Sequence, residues 1–259
     1  MSSWHSVENL LCYGKISHFG GMNMIETVAS WLQHSKSTVI LTGAGMSTES
    51  GIPDFRSKAG WWKFIDPRTV ATVESLAGNY ALFREFYQLR IEALEQAKPH
   101  KGHEIIASWE QLGFVALVAT QNVDGLHQLA GNEHVAELHG NIMTIRCEKC
   151  KKPHSKAHFM DNAVCTYCMH HLRPNVVLFG ETLPQEAWNR TFDEIQSADV
   201  VLVIGTSLEV YPVNQLPKMA KGKLVYINLE VDTNTQGFDA MIQGTAGVVL
   251  AEIDAYLSR

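Results

Sequence analysis

Little in this sequence points away from an ordinary folded domain. No apolar run approaches the ~20 residues needed to cross a membrane. Met1 to Gly21 lacks a basic stretch followed by an apolar one, so no secretion signal is read there. There is no low-complexity tract and no internal repeat. Glycine and proline, 19 and 8 among 259 residues, are not in excess, and an apolar fraction of 46% suits a chain with a large core. Positive charge is short: 21 Lys and Arg against 27 Asp and Glu leave a net charge of −6. That balance argues against direct nucleic-acid binding by the whole chain. Cysteine is also scarce. Four of the five stand in one metal-like pattern, which fits a reducing compartment, and hence the cytoplasm, better than a disulfide framework. Cys12 is left over and reads as incidental.

What is present alternates between strand and helix. Ile25, Val28, Ala29 and Leu32 recur at helical spacing, which predicts a helix from about Met24 to Gln33. The β-branched run Thr38-Val39-Ile40-Leu41 reads as a buried parallel strand. Ser57 to Ala77 is mixed; Trp61, Trp62 and Phe64 read as a lid or as packed surface aromatics. Amphipathic helices are expected over Asn79 to Ala97 and His103 to Leu112. Phe114 to Ala119, Glu133 to Leu138, Val176 to Phe179, Asp199 to Gly205 and Lys223 to Asn228 read as strands. Pro184 to Gln196, Asn214 to Ala220 and Val248 to Leu257 read as helices. Such alternation implies an α/β fold with a parallel sheet, whose ligands sit at the carboxyl ends of the strands.

The polar motifs fall at those ends. Gly43-Ala44-Gly45 follows the first strand, and the two glycines allow a tight turn and close approach of backbone to a ligand. Ser47 and Thr48 are good N-caps for a short helix, whose free N–H groups suit a phosphate. Together these suggest a dinucleotide. The third glycine of a dehydrogenase fingerprint is replaced by Thr48, and Gly51 and Pro53 stop any long helix. Asp54, Phe55 and Arg56 then offer a carboxylate, a ring and a cation. Gln121, Asn122, Val123 and Asp124 follow the second strand, where buried polar groups need partners. A nicotinamide ribose would supply them; Asp124 could equally cap the next helix. Gly205, Thr206 and Ser207 end the clearest strand with small polar groups, and Asn228 and Leu229 end the next. His139, one of twelve histidines, can act as a base near neutral pH. Cys147-x₂-Cys150-x₁₄-Cys165-x₂-Cys168 is a zinc pattern of two knuckles. Four thiolates leave no open position, so the metal is expected to be structural. His154, His158, His170 and His171 then read as surface residues.

Gly43 to Arg56 resembles the signature of the sirtuins, the NAD-dependent protein-lysine deacylases. Thr120 to His127, Leu138-His139-Gly140-Asn141 and Gly205-Thr206-Ser207-Leu208 resemble further sirtuin motifs in the same chain order. The likeness covers nearly everything from about Met24 onward. It implies a Rossmann-like NAD-binding domain over 24–141 and 174–259, a small inserted zinc-binding module over 142–173 and a loose extension over 1–23. It implies NAD held by Gly43, Ala44, Gly45, Ser47, Thr48, Asp54, Phe55, Arg56, Gln121, Asn122, Val123, Asp124, Gly205, Thr206, Ser207, Asn228, Leu229 and Ala246. His139 would be the base, assisted by Asn122 and Asp124, with His127 structural. Val177, Leu178, Phe179 and Gly180 would pair with an extended substrate peptide. In the family reaction nicotinamide leaves, the acyl oxygen attacks the ribose, and the products are free lysine and O-acyl-ADP-ribose.

The resemblance also bears on the acyl group. Tyr87 and Arg90, three apart on one helix, resemble the Tyr-x-x-Arg of sirtuins that accept succinyl- and malonyl-lysine, and Ala71 matches a small residue that widens their pocket. A succinyl carboxylate must be paired once desolvated, and Arg90 with the Tyr87 hydroxyl can pair it. The expected partners are acylated-lysine proteins or peptides, with no membrane involved and a monomer as the working unit. ADP-ribosyl transfer, NAD hydrolysis, hydride transfer and a non-catalytic zinc-ribbon adaptor are the alternatives.

Overall fold

The five residues Thr38–Thr42 are all buried, and they sit at the centre of the molecule because neither face of that strand meets water. A computed structural model describes residues 18–19, 22–53, 67–230 and 237–258. In chain order the strands are β1 (His18–Phe19), β2 (Met22–Asn23), β3 (Thr38–Thr42), β4 (Leu117–Thr120), β5 (Val135–Glu137), β6 (Gly140–Cys147), β7 (Pro153–His154), β8 (Leu172–Val176), β9 (Val200–Ile204), β10 (Lys223–Asn228) and β11 (Ala240–Gln243). The helices are α1 (Met24–His34), α2 (Pro67–Val70), α3 (Val73–Gly78), α4 (Tyr80–Glu95), α5 (Lys101–Gln111), α6 (Leu126–Ala130), α7 (Lys156–Met160), α8 (Gln185–Ser197) and α9 (Ala246–Leu257). Two 3₁₀ helices, Ala44–Ser50 and Val213–Met219, complete the described elements.

Six strands form one parallel sheet in the order β11-β10-β9-β3-β4-β5. Alternation along each strand sorts side chains to opposite faces. Ile40, Val118, Leu202 and Val225 pack under α1, α5 and α9, while Val39, Leu41, Val201 and Tyr226 pack under α8. With both faces covered, the strands read as continuous apolar runs. A second sheet, order β7-β6-β8, is antiparallel. It shares a third core with α4, in which Phe83, Tyr87 and Ile91 meet Ile145, Cys147 and Leu172.

Several expectations need adjusting. α1 is capped by Asn23, whose Oδ1 accepts from Ile25 N at 3.0 Å, so the presumed extension contributes a helix cap. Ladder pairing of the second strand starts only at Leu117, because the N–H groups of Phe114 and Val115 turn back to Trp109 O. The strand-like run at Val176 to Phe179 is one residue of β8 followed by an irregular segment. There Val177 N donates to His139 O, Phe179 N to Ala71 O and Leu178 N to a Glu181 carboxylate oxygen. The strand β11 carries no signal in its short sequence and forms on the edge of β10.

Candidate active site

The carboxyl ends of β3, β4, β9 and β10 open on a cavity of about 1160 Å³. Its wall includes Gly43, Ala44, Gly45 and Ser47 after β3, Gln121, Asn122, Val123 and Asp124 after β4, and His139 before β6. Gly205, Thr206 and Ser207 after β9, and Asn228 and Leu229 after β10, complete that side. Ala71, Tyr87, Arg90 and Val177, Leu178, Phe179 and Gly180 lie on the same cavity. Thr48 and Ala246 do not line it. Asp54, Phe55 and Arg56 lie outside the described residues, as do Cys12, Trp61, Trp62 and Phe64. Val210, Tyr211, Leu183 and Trp188 also line the cavity, and no sequence motif singles them out.

The Gly-rich loop differs in physical detail from its sequence reading. A Cβ on Gly45 would sit 2.8 Å from Gly205 Cα, and one on Gly43 2.6 Å from Thr206 Cβ. The glycines therefore let two loops of the protein touch, sealed by Gly45 N donating to Gly205 O at 2.8 Å and Gly43 N to Ile204 O at 3.0 Å. Gly205 itself has φ +61°. Ser47 and Thr48 are not N-caps. The helix begins at Ala44 with Gly43 as cap and no side-chain capping bond. Ser47 instead donates to Asp124 Oδ2 at 2.8 Å, and Thr48 donates back to Gly45 O.

That Ser47 bond ties the first loop to the second. Asp124 Oδ1 also accepts from Leu126 N at 2.9 Å, so from just before the N-cap Gly125 it satisfies the first N–H of α6 as well as lining the cavity. Burial raises its pKa, opposed by the Leu126 and Ser47 donors and by the charge of Arg90. The Asn122 amide donates to Gly43 O and Ser47 Oγ, both at 3.0 Å. Gln121 donates to Thr206 Oγ1 at 3.0 Å, which joins the β4 loop to the β9 loop. Beneath them, His127 Nε2 lies 3.1 Å from Thr42 Oγ1, which donates to Thr120 Oγ1, which accepts from Asn122 N. His127 is thus a structural support, as expected, and burial lowers its pKa to about 4.

His139 is half-buried. Its Nδ1 lies 3.0 Å from Gln121 O, an atom that only accepts, so Nδ1 carries the hydrogen and Nε2 keeps its lone pair. Burial lowers its pKa, partly offset by that bond. Tyr87, also in the cavity lining, is 1% exposed, and burial raises its pKa. The Arg90 guanidinium carbon stands 5.5 Å from the Phe86 ring centre and 5.7 Å from that of Tyr87. Burial lowers the Arg90 pKa, opposed by Tyr87 and Asp124. The guanidinium is basic enough to stay charged.

The four cysteine sulfurs lie within 4.8 Å of one another. Cys147 and Cys168 are 3.4 Å apart, and Cys150 and Cys165 3.5 Å. Tetrahedral Zn–S bonds of about 2.3 Å require sulfurs roughly 3.8 Å apart, so the cluster fits the ion closely. Cys150 N and Tyr167 N point at the Cys147 and Cys165 sulfurs, as knuckles do. Of the histidines read as surface residues, His154 is only partly exposed, while His171 is exposed and also makes a ring contact. His154 Nε2 stands 3.3 Å from the Cys165 sulfur, and His171 stacks on Tyr80 with ring centres 3.8 Å apart. His158 and His170 are exposed.

The Sir2 family model matches residues 43–212. NAD-dependent protein deacetylase 1 of Geobacillus kaustophilus is 46% identical over 238 residues, 90% of this chain and 98% of that protein. NAD-dependent protein deacylase 2 of Pyrobaculum aerophilum is 44% identical over 241 residues, 90% and 95% of the two. Among solved structures, a Sir2 homolog–NAD complex superposes with a TM-score of 0.83 at 35% identity, covering 90% of this chain and 93% of that one. A Sir2 complex with deacetylated p53 peptide and 3′-O-acetyl ADP ribose gives 0.81 at 33%, covering 89% and 97%. The motifs, the parallel sheet with its cavity, the four-cysteine cluster and these relatives agree, and the chain belongs to the Sir2 family.

Proposed function

We propose that this chain removes acyl groups from protein lysines with consumption of NAD, and that those groups include succinyl and malonyl. The observation that carries the reading is one cavity lined both by His139, Asn122 and Asp124 and by Arg90, Tyr87 and Ala71. NAD supplies an activated ribose carbon and a good leaving group. The rest is the work of side chains. With Nδ1–H held by Gln121 O, His139 presents Nε2 as the base for a ribose hydroxyl. Gly43, Ala44, Gly45 and Ser47, Gln121 to Asp124, Gly205 to Ser207 and the pair Asn228–Leu229 hold the cofactor. Val177 to Gly180 carries the peptide backbone, and acylated proteins are the partners. Cys147, Cys150, Cys165 and Cys168 hold zinc, which orders the module around 142–173. The four reduced thiols favour the cytoplasm as the location.

An acetyl group ends in a methyl. A succinyl or malonyl group ends in a carboxylate, which loses its hydration on entering the cavity and must be paired. Arg90 and the Tyr87 hydroxyl supply charge-assisted bonds worth about 1.5–3 kcal/mol each. The test is mass spectrometry of the products from NAD and a panel of acyl-lysine peptides. O-succinyl- and O-malonyl-ADP-ribose, with free lysine, are expected at rates at least comparable to acetyl. Arg90→Met should lose the acidic groups and keep most acetyl turnover; equal losses on both would leave a deacylase without acidic preference. ADP-ribose on protein, or free ADP-ribose with the acyl-lysine intact, would mean transfer or hydrolysis instead.

A further inference from the structure

We infer that Gln88 is a specificity-positioning residue: by capping the short helix of the zinc module it sets where α4 holds Tyr87 and Arg90 against the acyl group. Resting on the acidic-acyl reading above, this assigns a role to a side chain that lies outside the cavity lining. Gln88 Nε2 donates to Phe159 O at 3.1 Å, Met160 O at 2.9 Å and Asn162 Oδ1 at 2.9 Å. Two amide hydrogens are thus shared among three oxygens, all from one turn of chain. Phe159 and Met160 end α7, where carbonyls lack partners within the helix itself, and Phe159 O also accepts from Asn162 N at 3.2 Å. Asn162, just past that end, has φ +61°. Five residues cannot hold a helix unaided, so α7 keeps its place through its contacts, and Gln88 supplies two of them, with a third to Asn162 just past its end.

The coupling runs both ways. Gln88 stands between Tyr87 and Arg90 in α4, and Phe159 shares a core with Phe83, Phe86, Tyr87, Cys147 and Cys165. A fastening at Gln88 therefore fixes the rotation and height of the residues on either side of it. Two further ties hold the ends of the same helix to the module: Tyr80 OH donates to Leu172 O at 2.8 Å, and Glu95 pairs with Lys156. Those keep α4 docked when the central fastening is removed. A charge-assisted pair between guanidinium and carboxylate depends steeply on placement, at the level of an ångström. A methyl in the same cavity makes no such bond. Loosening the middle of α4 thus penalises succinyl and malonyl while sparing acetyl.

The experiment compares Gln88→Met, which keeps length and removes the donor, with Gln88→Lys, which restores donors at similar reach. Arg90→Met is run beside them. Steady-state constants are taken on succinyl, malonyl and acetyl forms of one peptide, with NAD KM, zinc content and melting temperature for each variant. Gln88→Met is expected to raise KM for the acidic peptides about tenfold, the size of one charge-assisted bond. Acetyl constants, NAD KM and zinc content stay near the parent, and Gln88→Lys recovers most of the loss. If Gln88→Met lowers acidic and acetyl turnover in equal proportion, or leaves their ratio unchanged while Arg90→Met alters it, the role assigned to Gln88 is wrong. If Arg90→Met does not alter the ratio, the acidic-acyl reading fails first and this inference falls with it.

Discussion

At the scale of single residues, the site works by holding each polar group in one hydrogen-bonding state. His139 shows how little is needed. One backbone carbonyl selects its tautomer, and partial burial keeps the ring neutral. Since burial lowers its pKa from an ordinary value near 6.5, the base form persists to lower pH than for a free imidazole. The acid limb of kcat/KM is therefore expected below pH ~6.5. His139→Ala should cut deacylation about a hundredfold or more, as removal of a general base does, while NAD still binds by calorimetry. Near-parental turnover, or an acid limb at or above the free-histidine value, would remove His139 from the role of base.

At the scale of elements, the four-cysteine module and α4 behave as one packing unit. Cys147 and Cys165 are fully buried in the core that holds Phe83, Tyr87 and Ile91. Metal ligation and helix placement are consequently linked through shared side-chain contacts. Cys147→Ser should lose zinc, lower the melting temperature and lose activity together, since metal-binding energy is folding energy in such modules. Metal analysis beside a melting curve checks this, and a zinc-free variant that melts normally would show that the ion carries no structural load. The other internal tie is Arg173, wholly buried beneath the irregular segment after β8. It donates to Glu181 at 2.7 and 2.9 Å and to Val176 O. Glu181, partly exposed, in turn accepts from Leu178 N, so an ion pair with a buried arginine shapes the backbone read as the peptide-pairing segment.

At the scale of the whole molecule, buried neutral histidines make folding depend on pH. Burial and neighbouring imidazoles hold His103 down at about 2, and burial holds His127 at about 4. In the unfolded chain both titrate near 6.5. Between those values the unfolded state binds protons that the folded state refuses, so stability rises with pH across this window. The contribution is fully present above pH ~6.5 and is lost as pH falls, on the order of 3 kcal/mol for His127 by pH ~4. Glu110, Glu181 and Asp239, whose pKa values are lowered by their hydrogen-bond and charge partners, add a further loss only at the acid end of this range. Urea titrations at pH 7, 6 and 5 should therefore show a falling midpoint before those carboxylates titrate. A midpoint unchanged between pH 7 and 5 would mean that these rings are not held neutral.

Strands β3, β9 and β10, the helices α1, α4 and α9, and the four-cysteine pattern were legible in the residues alone. Each is written in a local signal: a β-branched run, an apolar residue every three or four positions, or a fixed spacing between thiols. Position at a strand end was equally legible for Gly43, Asn122, His139 and Gly205, because a parallel sheet puts its ligands there whatever the packing. The partners of those residues were not. Ser47 reads locally as a helix cap, yet it donates to Asp124, a residue 77 positions away. The glycines read as room for a ligand, and besides lining the cavity they make room for Gly205 and Thr206. β11 has no pattern of its own and exists because β10 offers an open edge. Nothing in the order of residues announces that Gln88 meets Met160, 72 positions on. These contacts were decided only when the chain closed on itself, since a hydrogen bond depends on distance in space and a sequence records only distance along the chain.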